Sequence, residues 1–117
     1  YDFVGFFQPV DNPPVINTVK AGQSVPLKFQ LICSGTYVST LSAVANIQSV
    51  QVYCTGVVDG DPIPADDSGA SGLHYDFAAN QYIFSWKTDK SWANKCRKFI
   101  LTLSDGSTHE AYFQFKK

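Results

Sequence analysis

The stretch at residues 25–33, V-P-L-K-F-Q-L-I-C, decides the fold class, because apolar side chains recur at every second residue. One face of this run carries Val25, Leu27, Phe29, Leu31 and Cys33. Such alternation predicts a β-strand with one face in a core, where we expect Cys33 to be a buried, inert thiol. Proline has no N–H to donate to a β-ladder, so Pro26 predicts a sheet edge or a bulge at this point.

The end of the chain contains a second decisive pattern, in which Asp105-Gly106 lies between two alternating runs. This dipeptide is typical of a two-residue hairpin turn. That turn would place the apolar set around Phe113 on the opposite side of the sheet from the set around Leu101. A three-residue loop over residues 104–106, with Gly106 at positive φ and a bulge, places both sets on one face. We therefore predict the longer turn.

The remaining strand signals are short runs separated by turn residues at residues 1–7, 15–19, 47–54, 73–77 and 82–86. A four-residue loop over residues 78–81 would pair the last two runs and place five aromatic side chains in the core: Tyr75, Phe77, Tyr82, Phe84 and Trp86. Loops are expected at residues 34–45 and 59–72, of which the second is the longer. About seven strands in 117 residues predict a single all-β domain over residues 1–117. The expected architecture is a two-sheet antiparallel immunoglobulin-like sandwich, with a small closed barrel as the alternative.

Composition excludes several classes of function. The net charge is −1 and the only local basic stretch, residues 87–98, is interrupted by Asp89, so we expect no nucleic-acid partner. No apolar run approaches the roughly 20 residues that span a bilayer, so no membrane insertion is expected.

The chain contains no methionine and begins with Tyr1, which indicates a piece excised from a larger exported protein. Its expected partners are neighbouring domains of the same polypeptide, and we expect a monomer.

A series of phrases, in this order along the chain, resembles the PxKF domain family. They are Gly5-Phe6-Phe7, Pro9-Val10-Asp11-Asn12, Ala21-Gly22, Pro26-Leu27-Lys28-Phe29, Trp86-Lys87-Thr88, Cys96-Arg97 and Asp105-Gly106. The family motif corresponds to Pro26, Lys28 and Phe29, and the resemblance runs nearly end to end. It implies a bacterial secreted or cell-surface protein in which this domain lies beside other modules. The family has no established activity, so the resemblance implies no catalytic residue.

The three cysteines are too widely spaced for the close pairs that bind zinc, which leaves one disulfide and one free thiol as the simplest arrangement. Cys54 and Cys96 occupy the two positions at which cysteines recur in the PxKF family. The resemblance thus implies a disulfide between these two, either between sheets or from a strand to a loop. Such a bond would stabilise the fold by about 4 kcal/mol in the chain-entropy model. Pairing of Cys33 with Cys54, or a reduced pair, remains an alternative.

Four aromatic residues at expected loop or outer positions are candidates for binding a ligand: Trp92, Tyr37, Tyr53 and Tyr112. Trp92 is flanked by polar residues, and an exposed indole there would stack on a sugar ring. The alternative is that Trp92 folds down and closes the end of the sandwich beside Cys96. Trp86 is expected in the core.

For Lys28 and for an aspartate-rich loop, an ordinary solvated surface is a better interpretation than a special chemistry. Lys28 would form an isopeptide bond only if it were buried and deprotonated, whereas its parity places it opposite the core face. One loop contains Asp59, Asp61, Asp66 and Asp67. Their spacing fits no EF-hand calcium loop, so we expect no metal site.

No motif for a catalytic nucleophile is present, because no G-x-S-x-G occurs and the two histidines, His74 and His109, stand apart. We therefore expect no enzyme and no cofactor. The sequence favours a non-catalytic structural or accessory module of a secreted or cell-surface bacterial protein. The alternatives are a carbohydrate-binding module that uses surface aromatics, and an adhesion domain that pairs through an exposed edge strand.

Overall fold

A computed structural model describes residues 1–67 and 72–117 and shows the predicted all-β sandwich. The strands of this part are β1 Asp2–Gly5, β2 Ile16–Lys20, β3 Ser24–Cys33, β4 Thr36–Tyr37, β5 Val44–Val52, β6 Ile63–Pro64, β7 Asp66–Asp67, β8 Leu73–Asp76, β9 Gln81–Lys87, β10 Cys96–Leu103 and β11 Thr108–Lys116. Two single 3-10 turns, Leu41–Ala43 and Lys90–Trp92, complete the described structure. None of the helical segments within the described ranges is long and apolar enough to cross a membrane.

The strands form one six-stranded and one five-stranded sheet. The six-stranded sheet runs β1-β3-β9-β7, with β4 on β3 and β8 on β9, and the five-stranded sheet runs β2-β11-β10-β5-β6. All named pairs are antiparallel except β2 with β11, which is parallel, so the predicted two-sheet antiparallel sandwich is confirmed with one parallel pair at an edge of the five-stranded sheet. The exception arises because the chain crosses from the six-stranded to the five-stranded sheet between β1 and β2 and enters the new sheet alongside its last strand.

The β10–β11 hairpin has the predicted three-residue turn. Thr102 lies opposite Thr108, and the Leu103 N–H donates to the Ser107 carbonyl over 2.9 Å. Gly106 has a φ of +88°, which a side chain would disfavour. The apolar sets of both strands consequently share the inner face.

The β8–β9 hairpin has the predicted face but a different register. Tyr75 pairs with Tyr82, so the turn comprises residues 77–80 instead of 78–81. Because the pairing is displaced by two residues, the aromatic sets remain on one side while Phe77 moves into the turn. Phe77 is 74% exposed there, which corrects its assignment to the core. The Asp76 carboxylate accepts the Ala78 N–H over 3.0 Å and stabilises this earlier turn.

Strand β3 agrees with the prediction of a sheet edge at Pro26 and differs from the prediction at Cys33. It lies between β1 and β9, but β1 pairs only with residues 29–32, so Pro26 lies where β3 is paired with β9 alone. The register with β9 is unbroken, and the predicted alternative of a bulge near Pro26 is wrong. Cys33 ends the strand opposite Thr36, past the edge of the core, and is exposed rather than buried.

Within the described ranges, seventeen buried residues from both sheets form one large cluster, here called the inner core. Trp86 lies at its centre, with ring centroids 5.1 Å from Phe113 and 5.2 Å from Phe99. A second cluster, here called the outer cluster, comprises Val50, Val52 and Cys96 with Ile100 packed against it. It lies on the opposite face of the five-stranded sheet, since these residues have the other parity in β5 and β10.

Residues 6–15 join the two sheets, and two asparagine side chains hold them in place. Asn12 accepts the N–H of Phe6 and donates to the Phe6 carbonyl over 2.9 Å. Asn17, in β2, binds both backbone groups of Asp11 and donates to the Tyr112 carbonyl over 3.0 Å. Residues 6–15 are therefore hydrogen-bonded to the edge of the five-stranded sheet, and Phe6 is buried in the inner core.

Candidate functional site

A disulfide joins Cys54 and Cys96, whose Cα atoms are 5.3 Å apart. Cys96 is the first residue of β10 and lies opposite Val52, the last residue of β5. Cys54 follows two residues later, in the turn after β5. The bond is thus a link from strand to turn within one sheet, and the alternative of a link between sheets is wrong. Cys33 is free, so the alternative pairing with Cys54 is also wrong.

A groove of about 420 Å³ lies over this disulfide on the outer face of the five-stranded sheet. Its lining is mostly apolar. Pro14 and Ile16 come from the segment before β2 and the start of β2, Val52, Tyr53, Cys54, Thr55, Gly56 and Val57 from the end of β5 and the turn after it, and Cys96, Tyr112 and Phe113 from β10 and β11. Two of the four candidate binding residues, Tyr53 and Tyr112, line it together.

The two tyrosines are positioned differently. Tyr112 lies within the sheet, between Ile16 of β2 and Lys98 of β10, and is half-buried. Tyr53 follows β5 and is 56% exposed. A hydrogen bond to the Asp59 carboxylate raises the pKa of the Tyr53 phenol. The groove consequently has a fixed aromatic ring in its sheet and a more exposed ring beside a carboxylate at its rim.

The apolar character of the groove extends onto its rim. Of the large hydrophobic side chains that are exposed in the described part of the chain, five belong to the groove or adjoin its lining in sequence: Val15, Ile16, Tyr53, Val57 and Val58. Beside Tyr112, the Lys98 ammonium and the Glu110 carboxylate form an ion pair at 3.0 Å. The site is therefore an apolar depression next to paired charges, a composition suited to amphipathic ligands.

The other two candidate residues lie elsewhere. Tyr37 is exposed in β4, in the six-stranded sheet. Trp92 is half-buried and packs against the inner core, with ring centroids 5.4 Å from Phe115 and 5.7 Å from Trp86. The Arg97 guanidinium lies over the Trp92 ring, 4.4 Å from the ring centroid. Trp92 thus closes an end of the sandwich, which is the second of the two interpretations given above.

Arg97 is a residue that sequence reasoning missed. It is 5% exposed, and its Nε and Nη2 donate to the Oγ and the carbonyl of Ser49. Burial lowers the pKa of Arg97. The sequence does contain an indication of this burial, because Arg97 lies two residues before Phe99 in β10 and therefore points to the same inner face. Through its contacts with Ser49 and Trp92, the buried Arg97 side chain links β5 to the residue that closes the end of the core.

The motif residues of the PxKF resemblance serve the fold. Leu27 and Phe29 are buried in the inner core, whereas Pro26 and Lys28 lie on the outer face of the six-stranded sheet. Lys28 is half-exposed opposite Ile83, and its carbonyl accepts the Phe7 N–H over 3.0 Å. An isopeptide bond would require a buried, deprotonated lysine, whereas Lys28 is partly exposed to solvent.

The aspartate-rich loop contains β6 and β7, which the sequence had not indicated. The Asp59 carboxylate accepts a hydrogen bond from the Gln51 side chain over 3.1 Å. Residues 68–71 and the side chain of Asp67, which belong to the calcium hypothesis and to the expected long loop, lie outside the described residues. Elsewhere in the described part, no three side chains of the metal-binding types come together.

Residues of the catalytic type do meet at the β10–β11 turn, but their hydrogen bonds have the wrong order for nucleophilic catalysis. The Ser107 hydroxyl donates to Asp105 over 2.6 Å and lies 3.5 Å from His109 Nε2. A catalytic triad instead places the histidine between the serine and the carboxylate. The hydrogen bonds from Ser107 hold the pKa of Asp105 far below its usual range. The His109 ring stacks on Phe3 at 3.9 Å, so this group fastens a turn.

No protein-family model matches the chain, and a search of curated proteins finds no significant similarity. The class that the fold and the site define is an immunoglobulin-like β-sandwich with one disulfide and an apolar groove over it.

Proposed function

We propose that this domain is a non-catalytic structural or accessory module of a secreted or cell-surface bacterial multidomain protein. The observation that supports the proposal most directly is that most aromatic side chains are packed in the core or close its end. Trp86, Tyr82 and most phenylalanines fill the inner core, and Trp92 closes its end. Side chains that would serve chemistry or recognition are thus mostly committed to holding two sheets together. The ordered resemblance to the PxKF family supports the same conclusion.

The Cys54–Cys96 disulfide supports an extracellular location, because such bonds persist mainly in oxidising compartments. The test is to produce the chain in a bacterial host with and without a signal for export and to count free thiols by alkylation and mass spectrometry. We expect one reactive thiol, that of Cys33, in the exported form. Three reactive thiols in the exported form would contradict this location.

A second experiment tests the absence of catalysis. The purified domain is incubated with chromogenic esters, glycosides and peptides, with and without divalent cations. We expect no turnover above the blank. Turnover that co-purifies with the domain and is lost in Ser107→Ala would contradict the proposal, because that variant removes only a turn hydroxyl.

The groove supports one further candidate, carbohydrate binding, because Tyr53 and Tyr112 line it together and Asp59 adds a hydrogen-bonding carboxylate at its rim. Titration calorimetry with cellohexaose, chitohexaose and maltohexaose tests it. If the groove binds carbohydrate, one of them binds, with at least a tenfold loss of affinity in Tyr53→Ala and in Tyr112→Ala. Tyr37→Ala is the matched control, since Tyr37 is an exposed tyrosine in the other sheet. Equal affinity in all three variants would exclude the groove.

Adhesion by strand pairing has a weaker basis, namely the position of β2 at the end of the five-stranded sheet. Light scattering after size-exclusion chromatography distinguishes it from the structural proposal. We expect a monomer up to millimolar concentration. A dimer that dissociates when Thr18 is changed to proline would favour strand pairing instead.

A further inference from the structure

The turn that forms one wall of the groove is held mainly by short-range contacts. The Tyr53 N–H donates to the Val57 carbonyl over 2.8 Å, and the Gly56 N–H donates to the Tyr53 carbonyl over 2.7 Å. The Asp59 N–H donates to the Gln51 carbonyl over 2.9 Å, which links the returning chain to β5. These bonds close the turn on its own strand. The disulfide joins it to β10.

The disulfide belongs to the outer cluster and not to the inner core. The outer cluster contains three buried residues, whereas the inner core contains seventeen. Buried apolar area is the main source of folding free energy, so the inner core determines whether the sandwich folds. The bond therefore sets the position of one groove wall on a sheet that other contacts maintain.

The two cysteine residues differ in exposure. Cys54 is exposed, whereas Cys96 is 2% exposed. An external dithiol thus reaches the Cys54 sulfur, where its thiolate displaces the Cys96 thiolate and forms a mixed disulfide. The second thiol of the reductant then displaces Cys54 and leaves as a cyclic disulfide. Two electrons and two protons pass to the protein, which then holds two thiols.

We propose that the Cys54–Cys96 disulfide is a redox latch for the groove, closed by oxidation and opened by a dithiol. In the oxidised state the 53–57 turn holds Tyr53 across from Tyr112. In the reduced state the turn separates from β10, and the groove loses that wall while the sandwich stays folded. Use of the latch in recognition rests on the carbohydrate-binding candidate described above.

Hydrogen exchange tests the latch without any ligand. The experiment uses Cys33→Ser, so that only the Cys54–Cys96 pair reacts, and compares the oxidised protein with protein reduced by dithiothreitol at 25 °C. We expect at least tenfold faster exchange of the Tyr53, Gly56 and Asp59 amides on reduction. The Leu103 amide, in the other turn, should be unchanged. Unchanged exchange at all four sites, or faster exchange at all four with loss of the near-ultraviolet circular dichroism, would overturn the proposal.

Calorimetry with the same three hexasaccharides separates the latch from the function. Binding to the oxidised form that weakens at least tenfold on reduction supports both. Equal binding to both forms overturns the latch alone. No binding to the oxidised form overturns the carbohydrate candidate, and the exchange measurement then decides the latch. The double variant C54S/C96A, in the Cys33→Ser background, should behave like the reduced protein without a reductant.

Discussion

The two faces of the five-stranded sheet are formed by alternate residues of the same strands, but they are held together by different means. On the inner face, Phe99 and Leu101 pack against side chains from the opposite sheet. On the outer face, their neighbours Lys98 and Ile100 have no second sheet to pack against in the part of the chain that the structure describes. The outer face combines a few valines, an ion pair and a covalent bond. From this difference we expect a small apolar cluster with one open side to depend on its crosslink more than the enclosed core does.

The substitution expected to destabilise the inner core most is Trp86→Ala. Trp86 is fully buried among aromatic rings, and we expect the free energy of unfolding to fall by about 5 kcal/mol, the upper end for removal of a large aromatic side chain. Urea unfolding followed by circular dichroism measures it. Tyr112→Ala, on the outer face, is the control and should cost about 1 kcal/mol. Similar losses in the two variants would contradict the contrast between the faces. Trp86→Phe provides a milder variant if the alanine protein does not fold.

The second test removes the crosslink of the outer face. Reduction of the disulfide should lower the free energy of unfolding by about 4 kcal/mol, because the unfolded chain regains the entropy of a closed loop. The protein should remain folded at 25 °C, since the inner core is intact. Urea unfolding of the oxidised and reduced forms measures the difference. A loss below about 1 kcal/mol would mean that strain in the native bond offsets the entropic gain.

The third test compares two adjacent residues of β10 that point to opposite faces. Leu101→Ala should cost about 3 kcal/mol, as expected for a leucine in an enclosed core. Ile100→Ala should cost about 1 kcal/mol, because its side chain is half-exposed and leaves little cavity. Thermal unfolding of both variants gives the comparison. An equal loss would show that the outer cluster contributes as much per residue as the inner core.

The smallest expected effect is a pH dependence from His109, which lies at the end of the inner face. Burial lowers the pKa of His109 below its usual value of 6.5. The folded state then binds a proton less readily than the unfolded state, so stability is complete above about pH 6.5 and falls as the pH drops through the folded-state pKa. Unfolding free energies between pH 5 and 8 should show this slope. It should flatten in His109→Gln and persist in His74→Gln.

The sequence predicted those parts of the fold in which side-chain parity and turn chemistry agree. At Asp105-Gly106, parity excluded the shorter turn, and the structure has the longer one. In the β8–β9 hairpin parity allowed two registers that differ by two residues. Asp76 decided between them through a local bond to Ala78 that parity does not reveal. Parity thus predicts which face a residue occupies but not where along the strand the pairing begins.

The sequence did not predict features that depend on how distant segments are arranged, such as where the core ends and which strands are neighbours. Cys33 has core parity and is nevertheless exposed, because the last residue of β3 extends beyond the opposite sheet. The parallel pairing of β2 depended on residues 6–15 crossing between sheets, which no periodicity records. For the groove, the four candidate aromatics were identified, but only Tyr53 and Tyr112 meet. Their meeting depends on strand order, since β11, which carries Tyr112, and β5, which precedes Tyr53, are brought together by β10 between them.

The parallel pairing of β2 with β11 also determines how the domain would bear tension. Because the two strands run in the same direction, a pull on the chain before β2 and after β11 slides them past each other along their length. The hydrogen bonds between Ile16–Lys20 and their partners at residues 112–116 then share the load at once. An antiparallel pair pulled at one end would instead separate one bond at a time. A domain loaded in this way would resist stretching through the five residues of its edge strand β2.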